Sequence, residues 1–161
     1  MSESPGVRTT VKGILVRSGQ VLLNRCEDPY NGVFYSLPGG GQRKYETLEE
    51  TLRRELLEET GYRVRDIRLA GMFEEICDDK AYRVRYPDYC HKLYLFFLCT
   101  PEEDTPEAPE EPDSSQLSSD WIPIELLDSL PLQPLPLRSA LKDMLRSDAP
   151  LFLGSEHHSL P

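Results

Sequence analysis

The hydrophobic pattern opens with Thr9 to Arg17, a stretch rich in β-branched residues that predicts a strand. Ser18-Gly19-Gln20 supplies turn chemistry, and Val21-Leu22-Leu23 returns as a second strand. Cys26 to Gly32 reads as a polar loop punctuated by Asp28-Pro29 and Asn31-Gly32. Val33 to Leu37 is a short strand running into Pro38-Gly39-Gly40-Gly41. Spacing then turns helical. Thr47 can cap the helix, Glu50 completes a capping box, and Gly61 follows the last turn. Arg63 to Glu75 alternates again, Asp78 to Cys90 suits a hairpin loop, and His91 to Thr100 is apolar enough for a central strand. Order resumes at Trp121-Ile122-Pro123, and Ile124 to Leu130 starts a helix. Pro131, Pro134 and Pro136 precede a last helix from Leu137 to Leu145.

These elements fit a single domain over 8–146. Flexible tails are expected at 1–7 and 147–161, and an acidic, proline-rich loop at 101–115. The length of 161 residues agrees with one domain that needs no disulfide to hold its core. No apolar run approaches the roughly 20 residues of a membrane span, and no basic-then-apolar leader opens the chain. A cytoplasmic location is the expectation. Cys26, Cys77, Cys90 and Cys99 form no C-x-x-C pair, so reduced thiols are expected.

Net charge is −10, and the segment from Pro101 to Asp113 supplies −7 of it with no basic residue. The body of the chain is nearly balanced. No basic stripe or polybasic segment appears, which argues against duplex nucleic acid and anionic membranes as partners. The acidic segment reads as an unpacked excursion. Glu156-His157-His158 resembles a metal-ligand cluster but lies in the expected tail, where adjacent histidines are usually incidental.

The predicted helix carries the informative chemistry. At roughly 100° per residue, Leu48, Leu52 and Leu56 form its buried stripe. Glu55 and Glu59 fall beside that stripe and Glu58 one step round. A solvated acidic face belongs opposite the leucines, and this one is not there. Like charges at i and i+4 destabilise a bare helix, and a hard divalent cation would offset them. The preceding glycines allow close approach of the backbone to a phosphate or a metal.

From Gly40 to Tyr62 the chain has the spacing G-x5-E-x7-R-E-L-x-E-E-x-G-Y, carried by Gly40, Glu46, Arg54-Glu55-Leu56, Glu58-Glu59 and Gly61. This resembles the Nudix box of the Nudix hydrolase family. Tyr62 departs from the family's aliphatic preference at a packing position. Tyr35-x-Leu37-Pro38-Gly39-Gly40 and Trp121-Ile122-Pro123-Ile124-Glu125-Leu126 resemble the family's approach strand and final strand, so the resemblance covers about residues 8–145. Pro38 to Gln42, with Pro112-Asp113-Ser114-Ser115-Gln116, is similar to a bacterial Nudix subgroup.

The resemblance implies an α/β fold, an α/β/α sandwich with a mixed central sheet. It also implies hydrolysis of a pyrophosphate bond in a nucleoside diphosphate linked to another group, with Mg²⁺ or Mn²⁺. Carried over by position, the Gly39 carbonyl, Glu55, Glu58 and Glu59 hold metal, and Arg54 orients the carboxylates through Glu46. The general base is Glu58 or Glu55, with Glu107, Glu110 and Glu111 of the acidic loop as alternatives. Gln116 lies near where a catalytic acid sometimes falls, and an amide cannot act as a base. Arg25, Tyr35, Phe73 and Glu75 are candidates for substrate binding, with Tyr30, Tyr82 and Arg83 beside them. ADP-ribose or a nucleotide sugar is the first expectation and a nucleoside triphosphate the second. A non-hydrolytic nucleotide-binding domain is the alternative, although such domains commonly lose the box glutamates. An isomerase on the same fold would need a cysteine and glutamate motif that the sequence lacks. Many family members are homodimers, and no feature of the sequence decides that.

Overall fold

The computed structural model describes residues 6–112 and 114–159. The expected tail at 1–7 lies outside them except for Gly6 and Val7, and so does Asp113. The elements are β1 (Arg8–Arg17), β2 (Gln20–Asp28), β3 (Gly32–Ser36), β4 (Gly39–Gly41), α1 (Leu48–Thr60), β5 (Val64–Cys77), α2 (Lys80–Arg85), β6 (His91–Pro101), β7 (Gln116–Pro123), β8 (Leu132–Gln133), α3 (Leu137–Arg146) and β9 (Leu151–His158). Short 3-10 turns cover Pro87–Tyr89 and Ile124–Ser129.

The strands form a curled mixed sheet in the order β8-β3-β2-β1-β6-β5-β9, with β4 on β1 and β7 on β2. β1 joins its two halves. Arg8 to Leu15 runs parallel to Lys92–Cys99 of β6, and Val16 and Arg17 pair with β2. On one face α1 buries Leu52 and Leu56 against Val11, Leu15, Leu95 and Phe97. On the other, α3 buries Leu137, Leu141 and Met144 against Ile14, Phe73 and Phe96. Helices on both faces give the mixed α/β layering that the box implied.

Local signals set α1. Thr47 accepts from the Glu50 amide, the Glu50 carboxylate accepts from the Thr47 amide, and Gly61 closes the helix at φ 76°. Tyr62, the departure from the box, is buried, and its hydroxyl accepts from Trp121 Nε1 at 3.1 Å. An aliphatic residue there would leave that indole N–H without this partner.

Three expectations change. The predicted polar loop from Cys26 is largely strand, because β2 continues to Asp28 against β3 and β7. The predicted hairpin loop at 78–90 contains α2, capped by Asp79. The tail expected from Ser147 onward instead forms β9, parallel to β5. Side chains reinforce that pairing: His157 meets Asp78 at 3.0 Å and His158 meets Glu75 at 2.7 Å. Ser155 donates to Glu74 at 2.8 Å.

The acidic segment is also docked rather than free. The amides of Glu107 and Glu111 donate to the carbonyls of Gly61 and Glu58, at 2.9 and 3.0 Å. Glu58 is in the last turn of α1, whose carbonyls helix geometry leaves without partners, and Gly61 is the residue that caps it. Arg17 Nη1 donates to the Asp104 carbonyl at 2.7 Å. The docking uses backbone, so the absence of apolar side chains did not reveal it. Deleting Glu102 to Glu111 removes these three bonds, the bond from the Glu102 amide to the Arg63 carbonyl and the Arg63–Glu107 pair, with each neutral bond worth about 0.5–1.5 kcal/mol. A fall of about 5 °C in melting temperature is expected for a chain of this size. An unchanged melt would show that the segment contributes nothing to the fold.

Candidate active site

Arg54 is the centre of the site. Its Nε and Nη2 donate to the two Glu46 oxygens at 2.7 and 2.9 Å. Its Nη1 donates to Glu55 at 2.8 Å and to Glu58 at 3.3 Å. Nη2 also donates to the Gly41 carbonyl at 3.2 Å. One planar cation thus ties three box carboxylates to the glycine strand β4, a task suited to the fork geometry of arginine. The hydrogen bonds from Arg54 hold the Glu46 carboxyl down at about 2, and Glu46 in turn pushes the Arg54 pKa up.

The glycines make this approach possible. A side chain on Gly40 would meet the Glu55 carboxylate at 2.6 Å. Gly39 has φ 142° and lies directly against the Val11 carbonyl, where a Cβ has no room.

Glu59 is handled separately. It is 6% exposed. Its Oε2 accepts from the Gly39 amide at 2.9 Å and from Asn24 Nδ2 at 3.1 Å. Asn24 is oriented in turn, since its Oδ1 accepts from Ser119 at 2.8 Å and Gln116 Nε2 at 3.3 Å. Gln116 also donates to the Glu59 carbonyl and to Ser119 Oγ. Gln116 thus braces Asn24 and the Glu59 backbone.

Lys12 reaches the same corner, where its ammonium donates to the Gly39 carbonyl at 3.3 Å. Sequence reading passed over Asn24 and Lys12. The available signal was a polar residue beside the apolar run of β2 and a lysine between Val11 and the apolar run Ile14-Leu15-Val16 of β1.

A cavity of about 700 Å³ opens from Glu59 and Lys12, a size suited to a nucleotide. Of the four candidate substrate residues, Phe73 and Glu75 line it, as do Tyr30 and Tyr82. Arg25 and Tyr35 do not. They face each other in register on β2 and β3, while the lining comes from Asn24, Cys26, Phe34 and Ser36 on the alternate positions. Arg83 is committed to the Cys77 carbonyl and Asp78. In the acidic loop, the Glu107 side chain pairs with Arg63 at 3.2 Å beyond the C-terminal end of α1.

The donor set suits a hard divalent cation, because it is all oxygen: Glu55, Glu58 and Glu59 beside the Gly39 carbonyl. Among the described residues no three acidic, His or Cys side chains already converge as a metal cage. The reason is visible in the bonds: Arg54 occupies Glu55 and Glu58, and Glu59 is turned to Gly39 and Asn24. The four cysteines are free and buried, and burial pushes the Cys99 thiol up to about 12. Among the described residues no helix is long and apolar enough to cross a membrane.

The sheet lies between helices, and its glycine strand β4 lies against a helix whose carboxylates Arg54 orders. The NUDIX domain family matches residues 7–147, so the chain belongs to that family and is a Nudix pyrophosphohydrolase in class. It is 34% identical to the nucleoside triphosphatase NudI of Enterobacter sp. (strain 638) over 96 residues, 57% of this chain and 67% of that protein. A mutator MutT protein from Bacillus halodurans superposes with a TM-score of 0.70 at 24% identity, covering 95% of this chain and 91% of the other. A MutT NUDIX hydrolase from Burkholderia pseudomallei does so with a TM-score of 0.63 at 26% identity, covering 89% and 99%.

Proposed function

We propose that the protein hydrolyses a pyrophosphate bond in a nucleoside diphosphate linked to another group. The observation that carries this reading is the Arg54-centred carboxylate set on α1 against the glycine strand, with Glu59 of the same helix lining a nucleotide-sized cavity. Glu55, Glu58, Glu59 and the Gly39 carbonyl would hold Mg²⁺ or Mn²⁺. When bound, the metal supplies charge neutralisation on the phosphates and a more acidic water at neutral pH. Glu58 or Glu55 takes the proton from the water that attacks phosphorus, and the anhydride P–O bond breaks to release a phosphate-terminated product. Arg54 aims both glutamates while Glu46 anchors it. Asn24 and the Gly39 amide fix Glu59. Tyr30 and Tyr82 offer ring faces to a base or ribose, and the buried Phe73 backs the cavity wall. ADP-ribose or a nucleotide sugar is the first substrate type, and a nucleoside triphosphate, the compound named for the NudI relative, is the second.

A panel of dinucleotides, nucleotide sugars and nucleoside triphosphates tests this. With dinucleotides and nucleotide sugars, phosphatase-releasable phosphate is expected only with Mg²⁺ or Mn²⁺ present; with triphosphates the readout is loss of the nucleotide itself, resolved by chromatography without phosphatase, and EDTA should abolish both. Mg²⁺ should also raise the melting temperature by binding the folded state. Full turnover in a chelated preparation would overturn the metal role. Nucleotide binding without turnover on any substrate would favour the non-hydrolytic reading.

A further inference from the structure

We infer that Lys92 is a specificity-determining residue that takes a second anionic group of the substrate, beyond the pyrophosphate at the box, and that His158 positions it by holding Glu75 away. This rests on the proposed pyrophosphate chemistry at the same site. The inference begins with two lysines on one cavity wall. Lys12 lies on β1 and Lys92 on β6, and both line the cavity that opens at Glu59. Lys12 is fixed at the box end by the Gly39 carbonyl. Lys92 stands further along, since β1 pairs with β6 so that Arg8 opposes Lys92 and Lys12 opposes Phe96. That separation is about four residues of strand, or roughly 13 Å between backbones.

Lys92 has ring faces around it but no counter-anion in contact. Its ammonium lies 5.8 Å from the centroids of both Tyr89 and Tyr94, within cation–π range. Among the described residues it forms no ion pair. Glu75, the carboxylate that acts on it most strongly, is bound instead to His158 at 2.7 Å. Burial pushes the Lys92 ammonium pKa down, with Arg8 and Lys12 adding like-charge repulsion. A half-buried cation with two positive neighbours is stabilised by an anion entering the cavity. Cation–π contact alone is weaker than a charge-assisted bond to a phosphate oxygen. The cavity lining also carries Asp28, Glu59, Glu75 and Glu156, so Lys12 and Lys92 are the two points at which a polyanion finds an ammonium partner.

The chemistry selects among substrates. A nucleotide sugar whose remote group is neutral leaves Lys92 unsatisfied, whereas a nucleoside triphosphate or a phosphorylated remote group satisfies it. His158 enters because it sits on β9. Without it, the Glu75 carboxylate is released to pair with Lys92 and cancel the charge.

Two measurements on the full chain test this. The first is equilibrium binding of tripolyphosphate without added metal, which does not depend on turnover. Lys92→Met should weaken binding tenfold or more, and Lys92→Arg should retain it. His158→Leu should weaken it as well, and adding Glu75→Gln to His158→Leu should restore it. The second compares kcat/KM for a nucleoside triphosphate and for a nucleoside diphosphate hexose. Lys92→Met should lower the first tenfold or more through KM and leave the second within twofold. Equal tripolyphosphate affinity in parent and Lys92→Met overturns the inference, as does an equal loss on both substrates. No rescue by Glu75→Gln removes His158 from it. A parent that cleaves neither substrate refutes the proposed hydrolysis instead, while the binding series still decides the role of Lys92.

Discussion

Glu59→Gln is expected to lower turnover by orders of magnitude and to lower the melting temperature. The sequence alone points the other way on stability. Glu55 and Glu59 are like charges at i and i+4, and removing one would return about 0.2–0.5 kcal/mol. The structure reverses that sign. Glu59 is 6% exposed, and one of its oxygens accepts from both the Gly39 amide and Asn24 Nδ2. Bonds to a charged acceptor contribute about 1.5–3 kcal/mol each against about 0.5–1.5 for neutral ones. Replacing the carboxylate by an amide therefore costs about 1–2 kcal/mol, more than the repulsion it relieves. The amide must also keep its oxygen toward both donors, which leaves its NH₂ in need of a partner within the site. The repulsion itself is reduced already, because Arg54 is bound to Glu55. Turnover falls for a separate reason: a neutral amide is a poorer hard ligand beside Gly39. Thermal melts of parent and variant, with and without Mg²⁺, and initial rates at saturating metal separate the two effects. The parent should gain more from Mg²⁺ than the variant. A variant as active as the parent would remove Glu59 from the site, and a higher melting temperature would restore the charge-repulsion account.

What could be read in advance was local or periodic. The capping residues Thr47 and Glu50, the left-handed Gly61 and the leucine stripe are written within one helix length, and α1 formed within those limits. The long apolar stretch of β6 announced a central strand, and β6 lies between β1 and β5. What escaped depends on contacts distant in sequence. β9 has the polar stretch Gly154-Ser155-Glu156-His157-His158, which resembles a tail until Glu74 and Glu75 of β5 and the adjoining Asp78 become its partners. The acidic loop docks through amides, which carry no residue-specific signal. Arg25 and Tyr35 were chosen by residue type, and strand alternation, set by a register the sequence does not print, turned both away from the cavity lining. Asn24 escaped for the same reason, since its role exists only once Ser119, Gln116 and Glu59 are assembled around it.

Arg54→Lys and Arg54→Met should separate charge from geometry at the centre of the site. Arg54 makes five polar contacts to four residues through three nitrogens. Lysine keeps the charge but brings one nitrogen with three donors, so it cannot grip both Glu46 oxygens and also reach Glu55 and Glu58. A loss of about 10–100-fold in activity is expected for the lysine variant, the scale seen when partners that orient metal ligands are removed. The methionine variant also loses the charge. Arg54 is 17% exposed, and its partners Glu46, Glu55 and Glu58 are 15–21% exposed, so three nearby carboxylates are left facing one another while partly shielded from water. A fall of about 5–10 °C in melting temperature should follow, since breaking such a network is among the larger single-residue effects. The pH dependence supplies the sharper check. Glu46 titrates at about 2 in the folded chain against an ordinary 4.5, through its hydrogen bonds from Arg54. A depressed carboxylate stabilises fully above its unfolded pKa, and that contribution is lost as pH falls through the folded one. The difference in melting temperature between parent and Arg54→Met should therefore be constant near neutrality, shrink below about pH 4.5 and be small near pH 2. A difference that stayed constant down to pH 2.5 would mean that Glu46 is not held by Arg54. A lysine variant with parental turnover would mean that the bidentate grip has no part in aiming the glutamates.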